Sequence, residues 1–305
     1  MSKHVAVLMG GWSAEREVSL SSGRECVEGL RQAGYQVSEV DVGHDLSDVL
    51  AELRPEVAFN ALHGRWGEDG CIQGLLEVLE IPYTHSGVMA SSVAMHKPLA
   101  KQVFEAVGIR CTAGGIFGRD AVLAGDVMAR PYVIKPHNEG SSVGVHVVFE
   151  GDNRLPLDQE GWPYGEEVLV EPYVDGRELT VAVLGDEAIA VTEIFAHAGN
   201  FYTYDSKYAE GGSTHQIPAD LPTDVTAEAM EVALRAHQAV GCRGVSRADF
   251  RYADAAGPGQ GLYLLEINTQ PGMTPTSLVP EQAAHIGMSF SDLMTWIVED
   301  AGCGR

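Results

Sequence analysis

The chain has 305 residues, 45% hydrophobic and 21% charged, enough for two or three domains with their own cores and typical of an ordinary globular protein. Its 20 basic and 43 acidic residues leave a net charge of −23 and a pI near 4.7, a surface that repels nucleic acid and anionic membranes, so neither is expected as a partner. The five cysteines (Cys26, Cys71, Cys111, Cys242, Cys303) show no C-x-x-C spacing, and no apolar run approaches a membrane span or a signal segment, so a cytoplasmic protein without disulfides or structural zinc is expected.

Residues 1–86 alternate strand and helix. His4 to Met9 reads as a strand, Arg16 to Ala33 as a helix stopped by Gly34, Gln36 to Asp41 as a strand, Leu46 to Leu53 as a short helix and Val57 to Ala61 as a third strand. This is the pattern of a parallel sheet with crossover helices, whose ligands bind beyond the strand C-terminal ends. Two loops stand at such ends, Gly10 to Glu17 and His63 to Gly70. Glu15 in the first either complements the dipole of the following helix or holds a substrate ammonium. His63 in the second is either a structural hydrogen-bonder or a substrate contact. Neither a G-x-G-x-x-G nor a Walker motif occurs.

Beyond Gly87, a helix is expected from Pro98 to Val107, with proline in its first turn and Gly108 as its stop. Lys97 then stands at the unfavourable end of the helix dipole unless an anion sits there too. Lysine placement is informative in so acidic a chain, because a compact ammonium on a flexible stem suits a single phosphate oxygen. Of the five lysines, Lys97, Lys135 and Lys207 adjoin turns or glycine-rich loops and are candidate phosphate binders, whereas Lys3 and Lys101 read as positions on a solvated face.

Tyr132 to Lys135 and Val145 to Phe149 read as two strands joined by a loop of glycines and small hydroxyls, which is either a surface hairpin or a flap whose N–H groups cover phosphates. Residues 151–166 carry Pro156 and Pro163 and are too broken for a helix. Glu167 to Glu171 is a strand, and the stretch through Val174 resembles a hinge whose backbone could read an adenine edge. Residues 200–212, rich in tyrosine, are either an irregular excursion or an active-site lid. A helix from Thr226 to Val240 stops at Gly241, and Ser289 or Ser291 caps the last helix, which ends near Asp300.

The richest stretch runs from Gly244 to Leu278. Two apolar runs alternate with a period of two around a turn at 254–261, the pattern of neighbouring antiparallel strands. Residues two apart share a strand face, so Arg247 with Asp249 and Glu266 with Asn268 can meet on one surface. Three hard oxygen donors beside a guanidinium form either a structural ion pair or a magnesium-phosphate site. The Pro271-Gly272 turn that follows offers free N–H groups for an oxyanion or carboxylate.

Four segments in this order, His63 to Gly70, Lys135 to Gly144, Arg247-Ala-Asp249 and Leu265 to Thr274, closely resemble the D-alanine-D-alanine ligases, a family of the ATP-grasp superfamily. The resemblance covers essentially the whole chain. It implies α/β and α+β architecture: an N-terminal parallel α/β domain (1–86) followed by a two-domain ATP-grasp fold, with a central subdomain carrying the flap (87–172) and a C-terminal one carrying the lid and magnesium site (173–305).

The implied chemistry is ATP-dependent joining of two D-alanines through an acylphosphate, for peptidoglycan synthesis. By the same resemblance Glu15, Ser141 and Tyr208 form a triad around the first substrate, and Arg247 and the Gly272 N–H stabilise the tetrahedral oxyanion. His63, Ser277 and Leu278 contact substrate. Lys97, Lys135, Glu139, Ser142, Glu171, Val174, Glu178 and Lys207 bind ATP, with Glu171 and Val174 on adenine and Glu178 on ribose. Asp249, Glu266 and Asn268 ligate two Mg2+ ions, with Mn2+ an alternative. A homodimer is the implied assembly. Tyr208 favours a second amino acid over a hydroxy acid, and Pro172 stands where relatives often carry lysine. Two rival readings are another ATP-grasp carboxylate-amine ligase and a non-catalytic binding module on the same fold; the presence of the metal ligands, Arg247 and the lysines speaks against the second.

Overall fold

The computed structural model describes residues 2–138, 140, 144–152, 162, 164–196, 212–257, 259–274 and 276–304. Three sheets organise them. The first is three-stranded and parallel, with β1 (His4–Met9) between β2 (Gln36–Asp41) and β3 (Val57–Asn60), as the alternation of strand and helix predicts. Lying between two partners, β1 is buried on both faces: Val5, Val7 and Met9 enter one core, and Ala6 and Leu8 another. The helices α1 (Arg16–Gln32), α2 (Leu46–Leu53) and α3 (Cys71–Val78) belong to this region. The third was not expected from sequence, because its eight residues follow a glycine-rich loop with no capping side chain.

Next come α4 (Val88–Met95) and α5 (Lys97–Ala106). The first is a helix of Ala, Ser, Met and Val, with no polar face to reveal its period. The second begins at Lys97, one residue before the expected start. His96 caps it, its Nδ1 accepting the Leu99 N–H at 3.2 Å, and Pro98 sits in the first turn.

The second sheet has four strands in the order β4 (Gly115–Gly118), β7 (Glu167–Pro172), β5 (Tyr132–Lys135), β6 (His146–Val148), with α6 (Arg119–Ala124) against it. Tyr132, Ile134, Val168 and Val170 fill its core. Alternation therefore turns Val133, Lys135 and Glu171 to the other face, with Val133 directly opposite Glu171.

The third sheet has five antiparallel strands in the order β10 (Ser213–Gln216), β9 (Glu187–Ala196), β8 (Arg177–Leu184), β11 (Val245–Tyr252), β12 (Leu262–Asn268). One face packs on α4, α5 and α7 (Thr223–Val240), burying Phe104, Ala233, Ala248, Phe250 and Leu264. Helix α7 starts three residues earlier than its periodicity suggests, because extended Pro222 sets its entry. The opposite face meets α8 (Leu278–His285), α9 (Phe290–Asp300) and the first sheet in one core of Val5, Val7, Leu30, Ala182, Val245, Met273, Leu293 and Met294. A capping box selects Ser289 over Ser291 as the cap of α9: Ser289 Oγ accepts the Asp292 N–H and the Asp292 carboxylate accepts the Ser289 N–H, both at 3.2 Å.

Among the described residues no helix is long and apolar enough to cross a membrane. The five cysteines are free thiols, three of them buried.

Candidate active site

A solvent-open cleft, enclosing about 770 Å3 of empty space with the adjoining solvent included, lies between the two antiparallel sheets. The five-stranded sheet contributes Glu178, Asp249, Arg251, Leu265 and Glu266, and the four-stranded sheet contributes Val133, Lys135, Glu171 and Pro172.

A β-bulge makes the first wall. On β11 the parity is regular, with Ala248 and Phe250 in the core and Arg247, Asp249 and Arg251 on the cleft side. On β12, Leu262 and Leu264 are core residues, so strict alternation would send Glu266 and Asn268 into the core with them. The register shift between Asp249 and Phe250 sets Leu265 and Glu266 against a single residue and reverses the parity. Glu266 then faces Asp249, Asn268 faces Arg247 and Ile267 enters the core.

The side chains brought together are tightly coupled. Arg247 grips Asp249 with two parallel bonds, Nε to Oδ1 at 2.8 Å and Nη2 to Oδ2 at 2.7 Å. Thr180 Oγ1 donates to the same carboxylate at 2.7 Å and Asn268 Nδ2 at 3.0 Å. Lys97 Nζ lies 3.0 Å from Glu266 Oε2, so in this structure Glu266 is the anion that the position of Lys97 at the helix start calls for.

Among the described residues no three of His, Cys, Asp and Glu gather as metal ligands. Asp249, Glu266 and Asn268 are instead two carboxylates and an amide. That all-oxygen set fits a hard divalent cation and not zinc. Two carboxylates placed opposite each other on adjacent strands repel unless cations lie by them. Arg247 and Lys97 fill that role in this structure, and a magnesium ion fits the same demand.

In the second wall Lys135 Nζ lies 2.6 Å from Glu171 Oε2. Burial, then the neighbouring Lys101 charge, hold the Lys135 pKa well below the usual lysine range. Lys101 is not on a solvated face as its sequence position suggested. It is buried, forms an ion pair with Glu171 and donates to Thr112 Oγ1 at 2.6 Å and Thr112 O at 3.1 Å.

Val174 and Glu178 close the far end of the cleft, joined by a residue the sequence reading missed. Arg251 donates to Val174 O (3.1 Å), Gly176 O (2.8 Å), Tyr173 Oη (3.2 Å) and Glu178 Oε2 (3.4 Å), so one buried guanidinium organises the whole hinge. A signal for it existed: it stands two residues beyond Asp249, on the same strand face.

The loops of the first sheet meet near the cleft's other end. Glu15 is only 4% exposed at the start of α1. Its N–H donates to Ser13 Oγ (3.1 Å), which donates in turn to His63 O (2.8 Å) and so joins the two loops. Both ring nitrogens of His63 are engaged, Nδ1 with Glu68 Oε1 at 3.2 Å and Nε2 with Ser22 Oγ at 3.0 Å. A methyl group on Gly64 would stand 2.9 Å from Glu15 Oε1, and one on Gly140 3.0 Å from it. Gly140 also lines the cleft, so Glu15 and the cleft share that glycine as a border.

Gly272 and Ser277 come together in the turn after β12, where a methyl on Gly272 would lie 3.2 Å from Ser277 Oγ. Ser277 precedes α8, with Leu278 as its first residue. The Ser277 side chain does not cap the helix; its Oγ bonds Thr274 N (3.1 Å) and Thr274 Oγ1 (2.7 Å). The helix N-terminus thus keeps N–H groups and the positive end of its dipole for an anion. Glu139, Ser141, Ser142, Lys207 and Tyr208 lie outside the described residues, as does most of 151–166.

The family profile described as D-ala D-ala ligase C-terminus matches residues 123–299, and that described as D-ala D-ala ligase N-terminus matches 44–86. D-alanine–D-alanine ligase of Parvibaculum lavamentivorans is 58% identical over 306 residues, covering 100% of this chain and 99% of that protein. The protein of that name from Methylorubrum populi is 57% identical over 307 residues and 100% of both chains. Among solved structures, D-alanine–D-alanine ligase from Bacillus anthracis complexed with ATP superposes with a TM-score of 0.81 at 26% identity, covering 98% of this chain and 97% of its own. Full-length similarity at this level, on a fold whose two antiparallel sheets enclose a cleft of buried lysines and paired carboxylates, establishes that the chain belongs to the D-alanine–D-alanine ligase family.

Proposed function

We propose that this chain is the ATP-dependent ligase that joins two D-alanines to D-alanyl-D-alanine for peptidoglycan synthesis, acting in the cytoplasm as a homodimer on small-molecule substrates alone. The observation that carries the reading is the coupled set Arg247, Asp249, Glu266 and Asn268 facing Lys97 and Lys135 in one cleft, within a chain of this family.

In this reading ATP lies between the sheets. Adenine meets Glu171 and the backbone at Val174, ribose meets Glu178, and Lys97, Lys135 and Lys207, with Glu139 and Ser142, hold phosphates. Asp249, Glu266 and Asn268 would hold two magnesium ions, which when bound would offset the charge of the transferred phosphoryl group. The buried Glu15 carboxylate holds the ammonium of the first D-alanine, and Ser141 and Tyr208 link it to flap and lid. The first carboxylate attacks the γ-phosphate and displaces ADP, turning a poor leaving oxygen into phosphate. The second D-alanine, its carboxylate on Ser277 Oγ and the Leu278 N–H at the N-terminus of α8, attacks the acylphosphate through its amine. Arg247, fixed in plane by Asp249, and the Gly272 N–H stabilise the oxyanion that develops, and phosphate leaves. His63, whose ring is held at both nitrogens, shapes the first-substrate pocket.

Phosphate release from Mg-ATP tests this directly. Release with D-alanine, with the dipeptide found by mass, and none with L-alanine is the expected result. With D-alanine and D-lactate together, the dipeptide should remain the product. Silence with D-alanine alongside release with another acid and amine would overturn the reading.

A further inference from the structure

Lys101 stands four residues after Lys97 on α5, so both side chains leave one helix face. An ammonium has three N–H donors, and those of Lys101 have three acceptors: Thr112 O, Thr112 Oγ1 and the Glu171 carboxylate. Glu171, 2% exposed, receives Lys135 on its other oxygen at 2.6 Å. One buried carboxylate therefore lies between two buried lysine side chains. The two are not equivalent, because Lys135 and Glu171 line the cleft and Lys101 lies behind them. A nucleotide phosphate entering the cleft can reach Lys135 but not Lys101.

If Lys135 turned to a phosphate and Glu171 had no other partner, a bare carboxylate would remain buried, which is strongly unfavourable. Lys101 removes that obstacle. We propose that Lys101 is a positioning residue for nucleotide binding: as the permanent counter-ion of Glu171, it frees Lys135 to exchange a carboxylate for a phosphate and holds Glu171 at the adenine end of the cleft. The proposal rests on the reading of Lys135 as a phosphate-binding lysine.

Steady-state kinetics of the full chain test it through Lys101→Met, made alone and in a Glu171→Gln background, beside Lys135→Ala. Lys101→Met alone should raise KM for ATP roughly 10- to 30-fold, with kcat within about threefold and KM for D-alanine within about twofold. Lys101→Arg, which restores the charge, should recover part of the loss. With Glu171 neutral the counter-ion has nothing to serve, so in that background Lys101→Met should change KM for ATP less than about twofold. An equal rise in both backgrounds, or no rise in either, overturns the proposal. Should Lys101→Met not fold, Thr112→Val loosens the same anchor. It should raise KM for ATP about threefold only when Glu171 is intact, and an unchanged KM overturns the proposal as well. Lys135→Ala separates the two layers: an unchanged KM for ATP there overturns the phosphate role itself, whereas a rise there with none for Lys101→Met overturns the counter-ion role alone.

Discussion

On the five-stranded sheet, Arg247, Asp249, Glu266 and Asn268 hang from two adjacent strands whose pairing fixes where each side chain points. At the end of the three-stranded sheet, Glu15 and His63 hang from loops and need separate anchors: Ser13 between the loops, and Ser22 and Glu68 on the imidazole. The first arrangement derives its precision from the backbone ladder, and a change there acts on the chemistry directly. The second derives it from a few side-chain bonds, and a change there loosens one substrate's grip. In the proposed reaction, the rigid wall meets the developing charge and the loops meet substrate identity.

Asp249→Asn strikes the strand wall hardest, since it removes the carboxylate charge of the proposed magnesium ligand and half of the Arg247 fork while keeping shape. A fall in kcat of roughly a thousandfold, measured by phosphate release, with thermal unfolding little changed, is expected. A fall below tenfold would erase the contrast. Glu15→Gln should act differently, raising KM for the first D-alanine roughly 10- to 100-fold and leaving KM for ATP within about twofold. Equal effects on both substrates would mean that the loops and the nucleotide cleft act as one unit.

The smallest effect concerns the support under the strand wall. His237 on α7 is 3% exposed and bonds Ser246 Oγ on β11 at 2.7 Å. Burial lowers its pKa from 6.5 to about 4, outweighing Asp186 and Asp300, which raise it. The unfolded chain therefore takes up this proton first as the pH falls. The contribution to stability is complete above about pH 6.5 and is lost as the pH drops toward 4, amounting to about 2 kcal/mol between pH 7.5 and 5. Urea unfolding at those two pH values should show the wild type losing about 2 kcal/mol more stability than His237→Gln as the pH falls.

The comparison also explains what could be read from the amino acids. Arg247-Ala-Asp249 and Glu266-Ile-Asn268 place their partners two residues apart, so local spacing carried each pair to one face of its own strand. The bulge that makes this work was invisible, because Leu264 and Leu265 are both apolar and either could have faced the core. Lys97, Lys135, Glu171 and Glu178 were legible as cleft residues, whereas Lys101 was not. Its burial depends on Glu171, 70 residues away, which no local pattern reports. Arg251 and Lys101 sat within reach of the same-face rule, two and four residues from recognised positions. Helix α4 escaped because alanine and serine bury without an apolar stripe.

Helix α9 bears on how this molecule comes into being. It lies on α1 so closely that a methyl on Gly29 would meet Phe290 Cε1 at 2.7 Å, and Tyr83 exchanges backbone hydrogen bonds with Gly302. The first sheet thus completes its core with residues translated long after α1. At about 5–20 residues per second, α1 waits roughly ten seconds to a minute on the ribosome for its partner. During that interval its inner face is a natural client for chaperones, and a stop codon before residue 290 would leave an early domain without its cover.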